Sequence, residues 1–373
     1  MDKVLFLTTS HHYNDDRILY HQAKELVVQG YEVMICSLSS DFEDEMFGVK
    51  IQSFNILDKV IPVKKEAFEK VISDFKPQII IASEPLAVIA TKKYKKKHHC
   101  KVFYDITEWY PSIRMVENDK GLKKIFQSIK FFLIQLYAGY LSSAFIFGER
   151  TKRFPLAFVF PFKKSIILPY FPSKEYITTH IKNLDQHRIT LCYTGLFVKE
   201  KGIANFFKAA DQLRNLRKDL NVKLLLIGGT RNKQEIIYFE NLLAQYNWDN
   251  LVIKKPVAFQ DFTLAYQDAD ICFDLRDLNF ENHHCLPIKL FYYAASGKPV
   301  IYSKLKAIQK HVDVNEFGFL VDPDDSNAIV NCVSRYIDDP KLYSNHAHQA
   351  FEQFSTKNNW ENIKQNFVDF IKL

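Results

Sequence analysis

Several residues in this sequence are of types and spacings that can hold a phosphate. Gly195 is followed, six and seven residues on, by Lys201 and Gly202. A glycine lets the main chain approach a phosphate closely, and a lysine at the start of the next helix adds a point charge. Further on, a loop carrying Arg276, Asn282, His283 and His284 runs into Pro287, a residue suited to open a helix. A loop that feeds a helix N-terminus offers free N–H groups and the positive end of a dipole, which together bind anions. Lys199, Arg231 and Lys289 are further cations close to these two loops. The expectation is a diphosphate site, with Tyr292 on the helix behind it. His284 can serve as a donor to a sugar hydroxyl or phosphate, or be a satisfied loop histidine. A second set lies in the first half of the chain. His11, His12, Asp16 and Arg17 surround the loop after the first strand, and Asp105, Glu108 and Trp109 surround a later one. Loops at the C-terminal ends of strands line the ligand crevice in open α/β sheets.

The elements that must position these residues alternate between strand and helix. Val4–Leu7 reads as a strand, residues 15–29 as a helix ended by Gly30, and Tyr31–Ser37 as the next strand. That is a βαβ unit, and it implies a parallel sheet. Gln78–Ala82, Val102–Asp105 and Ala144–Phe147 continue the pattern, with an amphipathic helix over Lys123–Tyr140. Ser165–Pro172 runs into Pro-rich chain, and Pro172–His187, polar and without apolar periodicity, reads as a linker. A second sheet then follows, with strands at Ile189–Tyr193, Val222–Ile227, Leu251–Lys254, Asp270–Asp274 and Phe317–Val321. The helix opened by Pro287 stops at Gly297, and a final helix covers Asn358–Ile371. The fold class is therefore α/β with two Rossmann-like domains: 1–172 completed by 357–373, and 187–356.

Composition narrows the function. The 373 residues suffice for two domains of ordinary size. Fifty Lys and Arg against 43 Asp and Glu leave a net charge of +7, which suits an anionic ligand or anionic membrane and is too small to argue for nucleic acid. Six cysteines with no C-x-x-C spacing read as reduced, buried residues of a cytosolic protein. The N-terminus shows no signal segment, and Phe131–Phe147, the longest apolar run, falls short of the ~20 residues a spanning helix needs. There is no P-loop, no H-E-x-x-H and no zinc-like spacing, so neither a metal nor a cofactor is expected. The cations Lys92–Lys97 read as a solvated helix end, or as a contact with anionic lipid.

The run L-P-x-K-L-F-x-Y-x-x-x-G-K-P-V-I at Leu286–Ile301 resembles the donor-binding segment of family 4 glycosyltransferases, which have the GT-B fold. D-x-R-I at Asp15–Ile18, then A-x-x-L and G-Y-E-V, resembles their opening. Gly195, Lys201 and Gly202 match their G-R-x-x-x-x-K-G pattern, and Asp105 and Glu108 match a D-x-H-E-like motif. The chain departs from the pattern at Thr107, Leu196, His284 and Tyr292, where relatives have His, Arg, Glu and Glu. The resemblance implies two domains facing across a cleft, with the last helix crossing back. It implies a retaining, metal-independent hexosyltransferase using a nucleotide-sugar as donor substrate. The acceptor is a glycan or lipid-linked, in bacterial surface polysaccharide or glycolipid synthesis at the inner face of the membrane. Glu108, Asp105 and His284 would be catalytic. Gly195, Lys199, Lys201, Arg231, Arg276, His283, Pro287, Lys289 and Tyr292 would hold the donor, and His11, His12, Asp16, Arg17 and Trp109 the acceptor. A sugar-nucleotide epimerase of the same fold, or a catalytically inactive binding protein, are the alternatives.

Overall fold

A computed structural model describes residues 2–117 and 119–372; Met1 and Leu373, the outermost residues of the expected domains, and Asn118 lie outside the described residues. The chain divides into two compact units, Met1–Tyr170 with Ile363–Leu373, and Phe171–Asn362.

The first unit contains the strands β1 (Lys3–Thr8), β2 (Glu32–Ser37), β3 (Ser39–Met46), β4 (Val49–Asn55), β5 (Ile79–Ala82), β6 (Lys101–Ile106), β7 (Ala144–Phe147) and β8 (Ser165–Ile167). They form one sheet in the order β3-β4-β2-β1-β5-β6-β7-β8. All neighbours pair parallel except β3 and β4, which form an antiparallel hairpin. Central strands such as VLFL and IIIA are apolar at every position because both faces of a parallel sheet are covered. The order reverses direction between β1 and β5, which makes that pair the switch point of the sheet.

The helix expected over residues 15–29 is in fact two pieces. A π-helical segment, Asp16–Ala23, precedes a short α-helix, Lys24–Val28. Asp15 caps the first piece, accepting from the N–H groups of Arg17 and Ile18 at 3.1 Å each. Wider π-turns are common at functional sites, and here the segment carries Arg17 into the interior.

The second unit contains β9 (Arg188–Leu196), β10 (Asn221–Gly229), β11 (Leu251–Lys254), β12 (Ile271–Asp274), β13 (Val300–Ser303) and β14 (Gly318–Val321), all parallel, in the order β11-β10-β9-β12-β13-β14. Successive residues of a strand face opposite sides. Leu191, Tyr193, Phe273 and Ile301 accordingly enter one core, and Cys192, Cys272, Val300 and Tyr302 the other. The switch point lies between β9 and β12.

The stretch read as a linker, Pro172–His187, is strapped to the second unit. Thr178 N donates to Thr263 Oγ1 at 2.9 Å, His180 N to Ser296 O at 3.2 Å, and Lys182 pairs with Asp270 at 2.8 Å. The last helix, Trp360–Lys372, opens in the second unit, where Trp360 N donates to Pro172 O. From Ile363 onward it belongs to the first. All six cysteines are free thiols, Cys36, Cys100, Cys192 and Cys272 being buried.

Candidate functional site

Each sheet gathers a polar cluster at the C-terminal edge of its own switch point, where ligands of open α/β sheets bind.

In the second unit the frame is set by close main-chain approaches. Gly228, at the end of β10, has φ of +151°, and a Cβ there would lie 1.8 Å from Gly195 O. Gly202, in the left-handed region at φ +77°, would place a Cβ 1.8 Å from Leu275 O. Only glycine fits either place, so the loop after β9 lies directly on the end of β12. Asp277 N donates to Glu200 O at 3.2 Å and fastens the two loops together.

Asp274, the last residue of β12, is the buried anion of this cluster, at 1% exposure. Arg276 Nε donates to it at 2.8 Å, Lys289 Nζ lies 3.1 Å away, and Tyr302 donates its hydroxyl at 2.8 Å. Burial pushes the Asp274 carboxyl up, but Arg276 and Lys289 more than offset this and hold it well below the ordinary range. Burial also lowers the pKa of Lys289, with Asp274 pulling it partly back. Lys289 Nζ further donates to Thr194 O at 2.5 Å and would sit 3.1 Å from a Cβ on Gly195. Two cations against one carboxylate leave a surplus positive charge beside Gly195. Lys201, whose Nζ is 3.1 Å from Glu200, and exposed Lys199 stand on the adjoining loop. Pro287 caps the helix Ile288–Ala295, so Lys289 is in its first turn. This arrangement can receive an anion.

The other candidate residues have contacts of their own. Tyr292 is nearly fully buried and packs edge-on against Phe259 and Phe262. The helix that carries it is buried at every position from Leu290 to Ala295. Arg231, past β10, is exposed and paired with Glu235. His284 turns back within its own loop, its Nδ1 2.7 Å from Phe280 O, and His283 lies against Lys306 N at 3.4 Å.

In the first unit the centre is Glu84, just beyond β5. Its carboxylate accepts from Thr9 N at 2.8 Å, Ser10 N at 3.0 Å, Ser10 Oγ at 2.6 Å and Thr8 Oγ1 at 3.3 Å. The loop after β1 is thereby wrapped around one acid. His11 stands over it, 2.9 Å from Asp15 through Nδ1, 3.3 Å from Thr107 Oγ1 and 3.9 Å from Glu84 through Nε2. Burial lowers the His11 pKa, but the Asp15 hydrogen bond and the charges of Asp15, Glu84 and Asp105 raise it to about 9.

Arg17 and Asp105 form an ion pair at 2.8 Å with almost no exposure, and the Arg17 guanidinium stacks 4.1 Å from the Tyr170 ring centre. Burial raises the Asp105 pKa, and Arg17 opposes it. Arg17 and Asp105, expected to bind the acceptor and to act in catalysis, are thus buried and paired with each other. Glu108 is exposed and has no hydrogen bond or ion pair among the described residues. Exposed His12 sits 2.5 Å from Asn14 Oδ1, Asp16 starts the π-helical segment, and Trp109 is half-buried. Lys152 donates to Thr107 O at 2.5 Å and pairs with Glu149 at 2.9 Å. Sequence reasoning passed over Glu84, Lys152 and Asp274. For Glu84 the available signal was its place directly after a buried strand.

Residues 188–339 match the model of the family described as glycosyl transferases group 1. Over 199 residues the chain is 27% identical to the lipopolysaccharide 1,2-N-acetylglucosaminetransferase of Salmonella typhimurium. That match takes in 51% of this chain and 50% of the relative, so it spans about half the length of each. In fold the chain is similar to sucrose-phosphate synthase from Thermosynechococcus elongatus, with a TM-score of 0.77, 16% identity, and 100% and 98% of the two chains covered. It is also similar to the Anabaena protein HepE in complex with UDP, with a TM-score of 0.68, 13% identity, and 99% of both chains covered. The fold is GT-B: two Rossmann-like units, each built on its own parallel sheet.

Proposed function

We propose that this chain, a GT-B protein whose second unit carries a group 1 glycosyl transferase domain, is a retaining, metal-independent glycosyltransferase. It moves a hexose from a nucleotide-sugar to a glycan or lipid-linked acceptor in bacterial surface polysaccharide or glycolipid synthesis, at the inner face of the membrane. The observation that carries the reading is the Arg276–Asp274–Lys289 cluster beside Gly195 and the Pro287-capped helix. A nucleoside diphosphate leaves as a polyanion, and fixed cations and N–H groups at its position lower the barrier to its departure. Arg276 and Lys289 are held in place by Asp274 before any donor arrives, so little reorganisation is needed. Cations that meet the diphosphate directly also leave a metal ion no necessary part. The HepE structure with UDP and the Salmonella relative's transferase activity support a sugar nucleotide as donor. Acceptor binding is assigned to the first unit. There Glu84 fixes the loop that carries His11 and His12, and exposed Glu108 and half-buried Trp109 are available to orient a hydroxyl.

Calorimetry and product analysis over a panel of UDP-, GDP- and dTDP-hexoses test this. At least one should bind, and Arg276→Ala should cut transfer by about a hundredfold, in the range of lost oxyanion-type donors. Chelation by EDTA should leave the rate unchanged, and NMR should show the donor's anomeric configuration in the product. Failure to bind any sugar nucleotide would sink the proposal.

A further inference from the structure

The first unit also carries a surface that its switch-point cluster does not explain. The helix Gly121–Leu141 presents Leu122, Phe126, Ile129, Leu133, Tyr137 and Tyr140 at spacings of three and four, and they are 39% to 74% exposed. A stripe at that spacing is normally the face a helix turns to the core. Here the buried side is Gln135, Ala138 and Gly139, and the large apolar groups face out.

Two neighbours extend the patch. On one side, Gly139 lies so close to Leu156 that a Cβ would come within 2.6 Å of it. The same segment exposes Phe154, Phe158 and Phe162, the last at 99%. Lys163 fastens this segment to the helix end, donating to Gly139 O at 2.6 Å, Tyr140 O at 2.8 Å and Ser142 O at 2.6 Å. On the other side lies the helix Lys92–Lys97, whose Lys92 Nζ is 2.6 Å from Tyr137 OH and whose Lys95 donates to Leu141 O at 2.7 Å.

The charges say what covers this face. Residues 121–164 contain one acid, Glu149, and it is buried against Lys152. Lys96, Lys97, Lys124, Lys130 and Lys164 are exposed and have no carboxylate partner among the described residues. Lys163 and Lys95 are otherwise engaged; burial lowers the pKa of both, that of Lys163 to about 8. A second copy of the chain would set like charges against each other across the same apolar patch. An anionic bilayer satisfies both features, since apolar and aromatic side chains enter the interface while lysines meet the head groups. No helix among the described residues is long and apolar enough to cross a membrane, so such a contact lies in the interface plane.

We propose that the exposed stripe of Gly121–Leu141, the phenylalanines of segment 154–162 and the adjoining lysines form a docking face for an anionic lipid bilayer. This rests on the peripheral location proposed above and names the surface responsible.

Flotation of the full chain with phosphatidylcholine vesicles, with and without phosphatidylglycerol, tests it without any sugar nucleotide. Its failure would therefore leave the transfer reading standing. Capture should rise at least about tenfold with phosphatidylglycerol and fall as salt is added. Phe126→Glu with Phe162→Glu should abolish capture, and Lys96→Ser with Lys97→Ser and Lys130→Ser should weaken it. All five positions are exposed, so thermal melting should be unchanged. No capture, equal capture by neutral vesicles, or capture that survives the glutamates would overturn the proposal. So would a concentration-dependent doubling of mass that the glutamates abolish.

Discussion

His11 sits where four charges meet. Its ring is fixed by Asp15 on one side and by Thr107 and Glu84 on the other. Because its folded pKa of about 9 lies above the ordinary 6.5, the imidazolium stabilises the fold. That contribution is fully present below about pH 6.5 and is lost as pH rises through about 9. Its size is at most about 3 kcal/mol, since each tenfold gain in proton affinity is worth about 1.4 kcal/mol. The urea midpoint of the native chain should exceed that of His11→Gln near pH 6, and the gap should close by pH 10. A gap that widens with pH would contradict the assigned pairing. The sequence marked His11, Arg276, Lys289 and Gly195 as site residues, because charge and glycine in loops after strands are visible in one dimension. It did not mark Asp274 or Glu84, the acids around which those residues are arranged. A carboxylate at a strand end reads as a cap or turn, and only the folded loops show how many donors converge on it. Tyr292 was assigned to the donor because relatives have a glutamate there; its ring packs edge-on against Phe259 and Phe262.

Strands and long helices were readable because a buried parallel strand is apolar at every position and a covering helix repeats every three to four residues. Two elements escaped that logic. β3, which ends in DFEDEM, is an acidic edge strand with most of its residues at least partly exposed, so no apolar alternation announces it. The π-helical turn Asp16–Ala23 buries seven of its eight residues, polar ones included, which blurs any 3.6-residue period. Loop geometry, by contrast, was carried by glycine, and the tightness can be tested. Gly228 and Gly202 face main-chain oxygen, which cannot step aside, whereas Gly30 has φ of +86° and nothing within 4 Å of its would-be Cβ. Gly202→Ala and Gly228→Ala should each cost about 2–4 kcal/mol in denaturant unfolding, combining strain with displaced backbone. Gly30→Ala should cost about 1 kcal/mol from its conformation alone. Equal costs at all three positions would show that contact with Leu275 and Gly195 does not matter.

The chain passes once from the first unit to the second and then returns with its last turns. Phe367, Val368, Phe370 and Ile371 are buried, Phe370 edge-on to Phe103 on β6, and Lys364 pairs with Glu25 at 3.1 Å. Each buried side chain of this kind is worth about 1.5–3 kcal/mol, a large share of the 5–15 kcal/mol by which a domain is stable. The contribution falls on the first unit alone, because the residues from Ile363 onward belong to it. The second unit keeps its own two cores on either side of its sheet, and neither includes a residue of the last turns. Deleting 363–373 should therefore collapse amide-exchange protection in β1, β5 and β6 while β9, β10 and β12 remain protected. Binding of a sugar nucleotide, assigned to the second unit, should survive the deletion. Transfer to an acceptor should be lost with the first unit's order. Uniform loss of protection across both sheets would mean that the two units fold as one, and that the last helix stabilises more than the sheet it covers.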